Sequence, residues 1–424
     1  MKKILLDTNV LLTEPELVDK NPEKYAICLT TLRELDKLKR NPELSYSVRR
    51  AIKSIFFNLN KLTIDINETI DYENLTNDEK IIISAKNNNW KFKTEDIGAM
   101  VIANSVFDVV LDTDLKEEMK YQHYKGYKEH IVKDLEKWTK LYHTSNADKE
   151  LINMFGKDLN LNEYKILFNE DKTQYIIIFK NKDSFISQVP LKKYKKIINN
   201  VGIRIKPLDA YQWIALDSVL NDNPISIIDG RLGTGKTLMV IIGALISLHS
   251  NHEDIKKYKK IYISRPPIEI DKRYKQGYLP GELDNKMEPW LLSFKSNLEF
   301  IYNINTKDNL DDENNYGEEI FKKDFSFVSL EHIQGASIHD TIFLVDEYQL
   351  LDANMLKQIL SRIAAGSKII LMGDPEGQTY NINRGHEGYR VLRKHIKNQK
   401  LLSYVKLNKI YRSELAEFVE MIFD

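Results

Sequence analysis

Residues 225–238 read ISIIDGRLGTGKTL, an apolar run, a glycine-rich turn and the opening of a helix. Gly230, Gly233 and Gly235 carry no Cβ. The chain can therefore curl there and aim successive N–H groups, with the N-terminus of the following helix, at one anion. The spacing is G-x-x-x-x-G-K-[ST], in which Thr234 lies between the last two glycines. In this pattern Lys236 reaches the β- and γ-oxygens of a nucleotide and Thr237 ligates Mg²⁺.

Downstream, strand-like and helix-like stretches alternate, as in a parallel α/β sheet with its ligand crevice at the strand C-termini. The expected strands are 225–229, 260–264, 325–329, 341–345 and 368–372. The run TIFLVDEYQLL ends its strand at Asp346, placed to hold Mg²⁺ through water, and Glu347, placed to polarise the attacking water. The strand IILMGD ends at Asp374, and Gln378 follows. This resembles the G-D-x-x-Q γ-phosphate sensor of superfamily-one helicases with one residue inserted.

A second group of chemistry-bearing residues lies in the first hundred positions. Asp7 ends the apolar stretch 3–6, Glu34 sits on the helical TTLRELDKLK, Asp78 opens the helix IIISAK behind Thr76 and Asn77, and Asp96 follows WKFKT. Carboxylates at strand ends and adjacent helix ends converge on one crevice in a parallel α/β domain. Gathered there, they repel one another unless cations bind. Asp36, two positions from Glu34, falls on another helix face, and Glu79 is a near neighbour.

The ordered set LDTNVLL, RELDKL, NDEKIIISAK and KTED resembles the PIN ribonuclease domain. That resemblance implies one or two Mg²⁺ or Mn²⁺ ions held by Asp7, Glu34, Asp78 and Asp96, activating water against a phosphodiester. YISRPPIEIDKRYKQGYLPGELDNKMEPW, SRIAAGSKIILMGDP and YRSELAEF resemble PhoH-like ATPases. Together the two halves resemble the PIN-PhoH fusion family, described as RNA helicase-ribonucleases.

The family resemblance implies an ATP- and Mg²⁺-dependent RNA translocase that feeds single-stranded RNA to a nuclease, with DNA not excluded as substrate. It places Gln212 where such ATPases read adenine. With one RecA-like domain, an arginine finger must come from a neighbouring subunit, which implies a homo-oligomeric ring, a hexamer, with Arg412 as the leading finger. Arg265, Arg362 and Arg384 are weaker candidates. Arg231 and Leu232 in the loop, and Gln334 and Ala336 in IQGAS, depart from the family pattern. Two other readings stay open. One is a nucleotide-gated RNA-remodelling ATPase with a non-cleaving PIN domain, and the other is a toxin or defence nuclease switched by ATP.

The expected fold class is α/β in three parts: a PIN-like domain at 1–125 with a parallel sheet, a small β-rich connector at 126–205, and a RecA-like P-loop NTPase domain at 206–424. In the connector, QYIIIFKNKDSFISQVPL reads as a hairpin about KNKD. The chain of 424 residues is 42% hydrophobic, and its 62 Lys plus Arg balance 62 Asp plus Glu. Any polyanion site must come from local charge segregation. Two KKYKK runs, at 192–196 and 256–260, are such places, either as solvated faces or as lysines with a base-stacking tyrosine. Asn305 to Asn315 reads as an acidic surface loop. A single cysteine, Cys28, and no long apolar run fit a soluble cytoplasmic protein with no membrane span.

Overall fold

The computed structural model describes residues 2–41, 44–66, 75–112, 123–143, 148–266, 294–301, 323–333, 338–376 and 388–411. The chain divides into two compact units, one at Met1–Lys120 and a second beginning at Tyr121.

In the first unit, β1 (Ile4–Leu6), β2 (Tyr25–Cys28), β3 (Thr63–Asp65) and β4 (Lys91–Lys93) form a parallel sheet in the order β3-β2-β1-β4. The sheet separates two apolar cores, one containing Ile4, Val10, Leu35 and Ile55, the other Leu5, Ile81, Phe92 and Ala99. Burial on both faces explains why ILL and YAIC are continuous apolar runs. The inner strand β1 carries Asp7 at its C-terminal end, where Asp7 N–H donates to Lys93 O at 3.0 Å.

The second unit carries two sheets. β5 (Tyr127–Ile131), β6 (Glu163–Phe168), β7 (Tyr175–Lys180) and β8 (Ile186–Gln188) form the smaller one. Its β7–β8 pair is the expected antiparallel hairpin, while β5 and β6 run parallel. The larger sheet is six-stranded and parallel. It contains β9 (Ile225–Gly230), β10 (Lys260–Ser264), β11 (Phe325–Phe327), β12 (Thr341–Val345), β13 (Lys368–Gly373) and β14 (Leu402–Leu407), in the order β11-β10-β12-β13-β9-β14. β12 is buried along its whole length, as a two-faced parallel strand requires. Helix Lys236–His249 buries every residue from Met239 to Ser247, so it is wedged between this sheet and neighbouring helices.

The smaller sheet shares a hydrophobic core with the larger one, through Tyr164, Ile166, Ile177 and Phe179 on one side and Trp213, Leu216 and Val405 on the other. Polar contacts reinforce the junction. Tyr164 and Tyr194 each donate a hydroxyl to the buried Asp217 carboxylate at 2.7 Å. Asn162 Nδ2 donates to the carbonyls of Gln399 at 2.7 Å and of Lys400 and Leu402 at 3.2 Å. Lys406 N–H donates to Lys125 O at 2.9 Å. Next to Lys125, Gly126 has φ 78°, and a Cβ there would sit 1.7 Å from Tyr404 O, so only glycine lets the backbones meet.

Candidate functional site

The loop between β9 and helix Lys236–His249 puts Gly230, Gly233 and Gly235 at φ 159°, 84° and 86°. The last two lie in the left-handed region that favours glycine. Gly235 caps the helix, so Lys236 and Thr237 are its first residues and the loop N–H groups have no intrahelical acceptor. Lys236 Nζ donates to the carbonyls of Gly230 and, at 2.9 Å, of Arg231, closing the loop on itself. Burial lowers the Lys236 pKa, opposed by the nearby charges of Asp374, Glu347, Asp346 and Asp229. Phosphate oxygens entering the loop would take the ammonium from these carbonyls.

Gln212 is buried and braces this loop. Its Nε2 donates to Thr234 O at 3.2 Å and its Oε1 accepts Leu208 N–H at 2.8 Å. Tyr411 N–H donates to Gly233 O at 2.9 Å, and its hydroxyl donates to Asp209, the cap of the Gln212 helix.

Asp346 and Glu347 leave the end of β12, next to β13, whose chain runs on to Asp374. Asp346 is buried, and burial followed by the Glu347 charge pushes its carboxyl up to about 6. Glu347 has φ 52°, a left-handed conformation that costs a non-glycine residue on the order of 1 kcal/mol and is concentrated at functional sites. Arg265, just past β10, faces both acids, with Nη1 3.6 Å from Asp346 and Nη2 3.5 Å from Glu347. The carboxylates are hard oxygen donors near Lys236, the residue before Thr237, a donor set that suits Mg²⁺ held by one carboxylate, water and phosphates.

Asp229, the last side chain before the loop, forms a contact set that no sequence motif signals. The fully buried carboxylate accepts from Tyr348 at 2.9 Å, Tyr404 at 3.0 Å and Arg393 Nη2 at 3.2 Å. Arg393 also lies 3.5 Å from Glu376, two residues past Asp374. Strands β9, β13 and β14 and the turn after Glu347 are thus tied together directly behind the loop. Tyrosines and an arginine spread from 348 to 404 have no legible spacing, which is why the sequence did not reveal them.

In the first unit, Asp7 caps helix Thr8–Thr13 and Asp96 caps helix Ile97–Ser105, the latter accepting Gly98 N–H at 2.6 Å. Asp78 stands in the first turn of helix Asn77–Asn87, whose cap is Thr76 in a capping box with Glu79. The acids sense one another. Asp7 is pushed up to about 6, chiefly by burial, with the Asp78 and Glu34 charges adding to it, and Asp78 is raised by burial, Glu34 and Asp96. Thr94 Oγ donates to Asp7 at 2.5 Å, and Glu34 accepts from Thr8 Oγ and, at 2.7 Å, from Asn77 Nδ2. Asp36 turns outward to pair with Lys39 at 2.5 Å.

Among the described residues no three His, Cys, Asp or Glu side chains close around one point as a ready-made cage. An all-oxygen, mutually repelling set still fits Mg²⁺ or Mn²⁺, since Mg²⁺ typically takes one or two carboxylates and completes its shell with water and substrate phosphate. Gln378, Arg384 and Arg412, with Gln334, Ala336, Asn305 to Asn315 and positions 267–290 of the long RP…PW stretch, lie outside the described residues. Arg362 lies at the turn entering β13, the opposite end of the sheet from the loop. Among the described residues no helix is long and apolar enough to cross a membrane.

The second unit is a P-loop nucleotide-binding fold, and the first is an α/β unit in which Asp7, Glu34, Asp78 and Asp96 lie near enough to feel one another's charge. The chain belongs to the PhoH-like protein family, whose model matches residues 204–424, and it carries a PIN domain over residues 4–121. It is 26% identical to Protein PhoH2 of Thermobispora bispora over 445 residues, covering 99% of this chain and 96% of that protein, a PIN-PhoH fusion. Protein PhoH2 of Bacillus subtilis is 34% identical over 218 residues, and that of Mycolicibacterium smegmatis 30% over 212 residues, each match covering 50% of this chain. These two matches span under half of the relatives themselves, 46% and 45%. Among solved structures there is partial likeness to the large terminase of a thermophilic bacteriophage (TM-score 0.31, 12% identity, 52% of this chain and 51% of that one). Pif1 from Bacteroides sp in complex with ADP-AlF4 gives a TM-score of 0.24 at 13% identity, over 52% and 46% of the two chains.

Proposed function

We propose that this protein is an ATP- and Mg²⁺-dependent translocase on single-stranded RNA whose PIN unit is a metal-dependent endoribonuclease. The observation that carries this reading is the convergence of Lys236, Asp346, Glu347 and Asp374 at one end of the six-stranded sheet, in a chain that also gathers Asp7, Glu34, Asp78 and Asp96 in its PIN unit. Lys236 and the loop N–H groups hold the phosphates, and Thr237 with Asp346 holds Mg²⁺. Glu347 orients the attacking water and Asp374 senses the γ-phosphate. Bound ions supply Lewis acidity, and the PIN acids keep them and the water in place. The ring, taken as a hexamer, and a finger role for Arg412 are part of this proposal, as are a cytoplasmic location and the three-part division at 125 and 205.

One observation favours a second reading, an RNA-remodelling ATPase with a silent PIN unit. Asp7 and Glu34 already accept donors from Thr8, Thr94 and Asn77. Incubation of end-labelled single-stranded RNA and matched DNA with Mg²⁺ or Mn²⁺, with and without ATP, separates the two. Metal-dependent cleavage lost in Asp7→Asn supports the nuclease. RNA-stimulated ATPase with no cleavage under either metal leaves the remodelling reading, and cleavage undiminished in Asp7→Asn refutes the acid crevice as its site.

A further inference from the structure

The two KKYKK runs are 64 positions apart in sequence yet meet on one surface of the second unit. Lys193, on helix Leu191–Asn200, bonds the carboxylate of Asp254, two residues before Lys256. In both runs the tyrosine turns inward. Tyr194 and Tyr258 are buried in the same core, and Tyr194 gives its hydroxyl to Asp217, so neither ring is presented to a base. The lysines are fully or partly exposed, with the Lys195 and Lys256 ammonium groups over the Trp213 and Tyr258 rings at 5.9 and 5.0 Å. Lys193 pairs with Asp254, and Lys259 with Asp340 at 2.7 Å. Lys192, Lys195, Lys196, Lys256, Lys257 and Lys260 form no ion pair among the described residues. The carboxylates nearby are Asp222, Glu253, Asp254, Asp340 and the buried Asp217, five against eight lysines, so positive charge prevails. Lys260 opens β10, and Lys259 N–H donates to Asp340 O just before β12, so the second run lies at the N-terminal edge of the sheet, opposite the nucleotide loop.

We propose that this composite lysine surface is a sequence-independent binding site for the phosphate backbone of single-stranded RNA, remote from the nucleotide loop. It rests on the reading of the protein as an RNA motor and adds a place where the strand is held. Because the rings are buried, contact is to phosphate alone and carries no base preference.

The test is fluorescence anisotropy of the full-length protein with labelled U20 and A20 RNA across a salt series. One variant is Lys192→Gln/Lys195→Gln/Lys196→Gln and the other Lys256→Gln/Lys257→Gln/Lys260→Gln. Glutamine keeps most of the length and, on helix Leu191–Asn200, the helix propensity of lysine, and an unchanged unfolding temperature verifies the fold. A control triple, Lys133→Gln/Lys137→Gln/Lys140→Gln, removes equal charge from a helix region where Lys137 and Lys140 pair with Asp134 and Glu136. Each patch triple should flatten the slope of log K against log salt by about 2 and weaken binding about 100-fold near 0.1 M salt, equally for both RNAs, with the control far smaller. Patch triples that bind like the control overturn the site while leaving the motor reading intact. Native protein that binds neither RNA at low salt overturns both.

Discussion

Gln349 Nε2 donates to Glu347 Oε2 at 2.5 Å, while Gln349 Oε1 accepts the Asp374 N–H at 3.3 Å. One amide thus ties Glu347, proposed to orient water, to Asp374, proposed to sense the γ-phosphate. Gln349→Leu should lower kcat for ATP about 10- to 100-fold, with KM nearly unchanged, because ground-state phosphate binding belongs to the loop. Steady-state ATPase kinetics check this, and a rise in KM at constant kcat would place Gln349 in nucleotide binding instead.

Arg393 and Asp229 are a buried pair 3.2 Å apart behind the loop. Removing one partner strands a buried charge, so Arg393→Met should cost about 3–5 kcal/mol of stability. Arg393→Met/Asp229→Asn should recover part of that loss, since the amide is uncharged, its oxygen accepts one tyrosine hydroxyl and its Nδ2 donates to the other hydroxyl oxygen. Denaturant midpoints of the two variants decide it; a double variant less stable than the single one is the contrary result.

Asp7 has a folded-state pKa of about 6 against an ordinary 3.8, raised mainly by burial. Folding therefore favours its protonated form, and the charged form costs stability above about pH 6, a cost that fades as pH falls toward 3.8. Metal-free Asp7→Asn should be more stable than native at pH 8, by up to about 3 kcal/mol, and no more stable near pH 4. Thermal unfolding in chelator at both pH values tests the sign. Mn²⁺ should raise the unfolding temperature of native protein and not of the variant.

Gly126→Ala forces a Cβ against the Tyr404 carbonyl at φ 78°. The substitution should destabilise the second unit by several kcal/mol and reduce ATPase with it, since Tyr404 also holds Asp229. Soluble, fully active Gly126→Ala protein would show that the junction at Lys125 and Lys406 is dispensable.

The sequence made the nucleotide loop and its strands legible because glycine spacing and unbroken apolar runs are local signals. Strands β10 and β12 fall on the expected residues, and β9 and β13 extend one residue further than expected. β14 was not anticipated. LSYVKL carries a serine and a lysine, and only in the fold does Ser403 meet Ser218 and Lys406 meet Glu376. The smaller sheet showed its hairpin but not its parallel β5–β6 pairing, which joins segments more than thirty residues apart. The four acids were visible as an order of residues. Thr94 as the donor to Asp7, and Gln349 beside Glu347, needed coordinates because a hydroxyl or an amide has no spacing rule of its own. The tyrosines of the lysine runs illustrate the same limit, since charge patterning cannot tell which side of a segment is buried.

The proposed coupling of an RNA motor to a nuclease is tested most directly by single-turnover cleavage of an RNA whose cut region lies behind a duplex, entered from a single-stranded tail. With Mg²⁺ and ATP, native protein should cut behind the duplex, Lys236→Ala should cut only the tail, and Asp7→Asn should hydrolyse ATP without cutting either. Equal cutting behind the duplex by Lys236→Ala would contradict a nuclease fed by ATP-driven translocation.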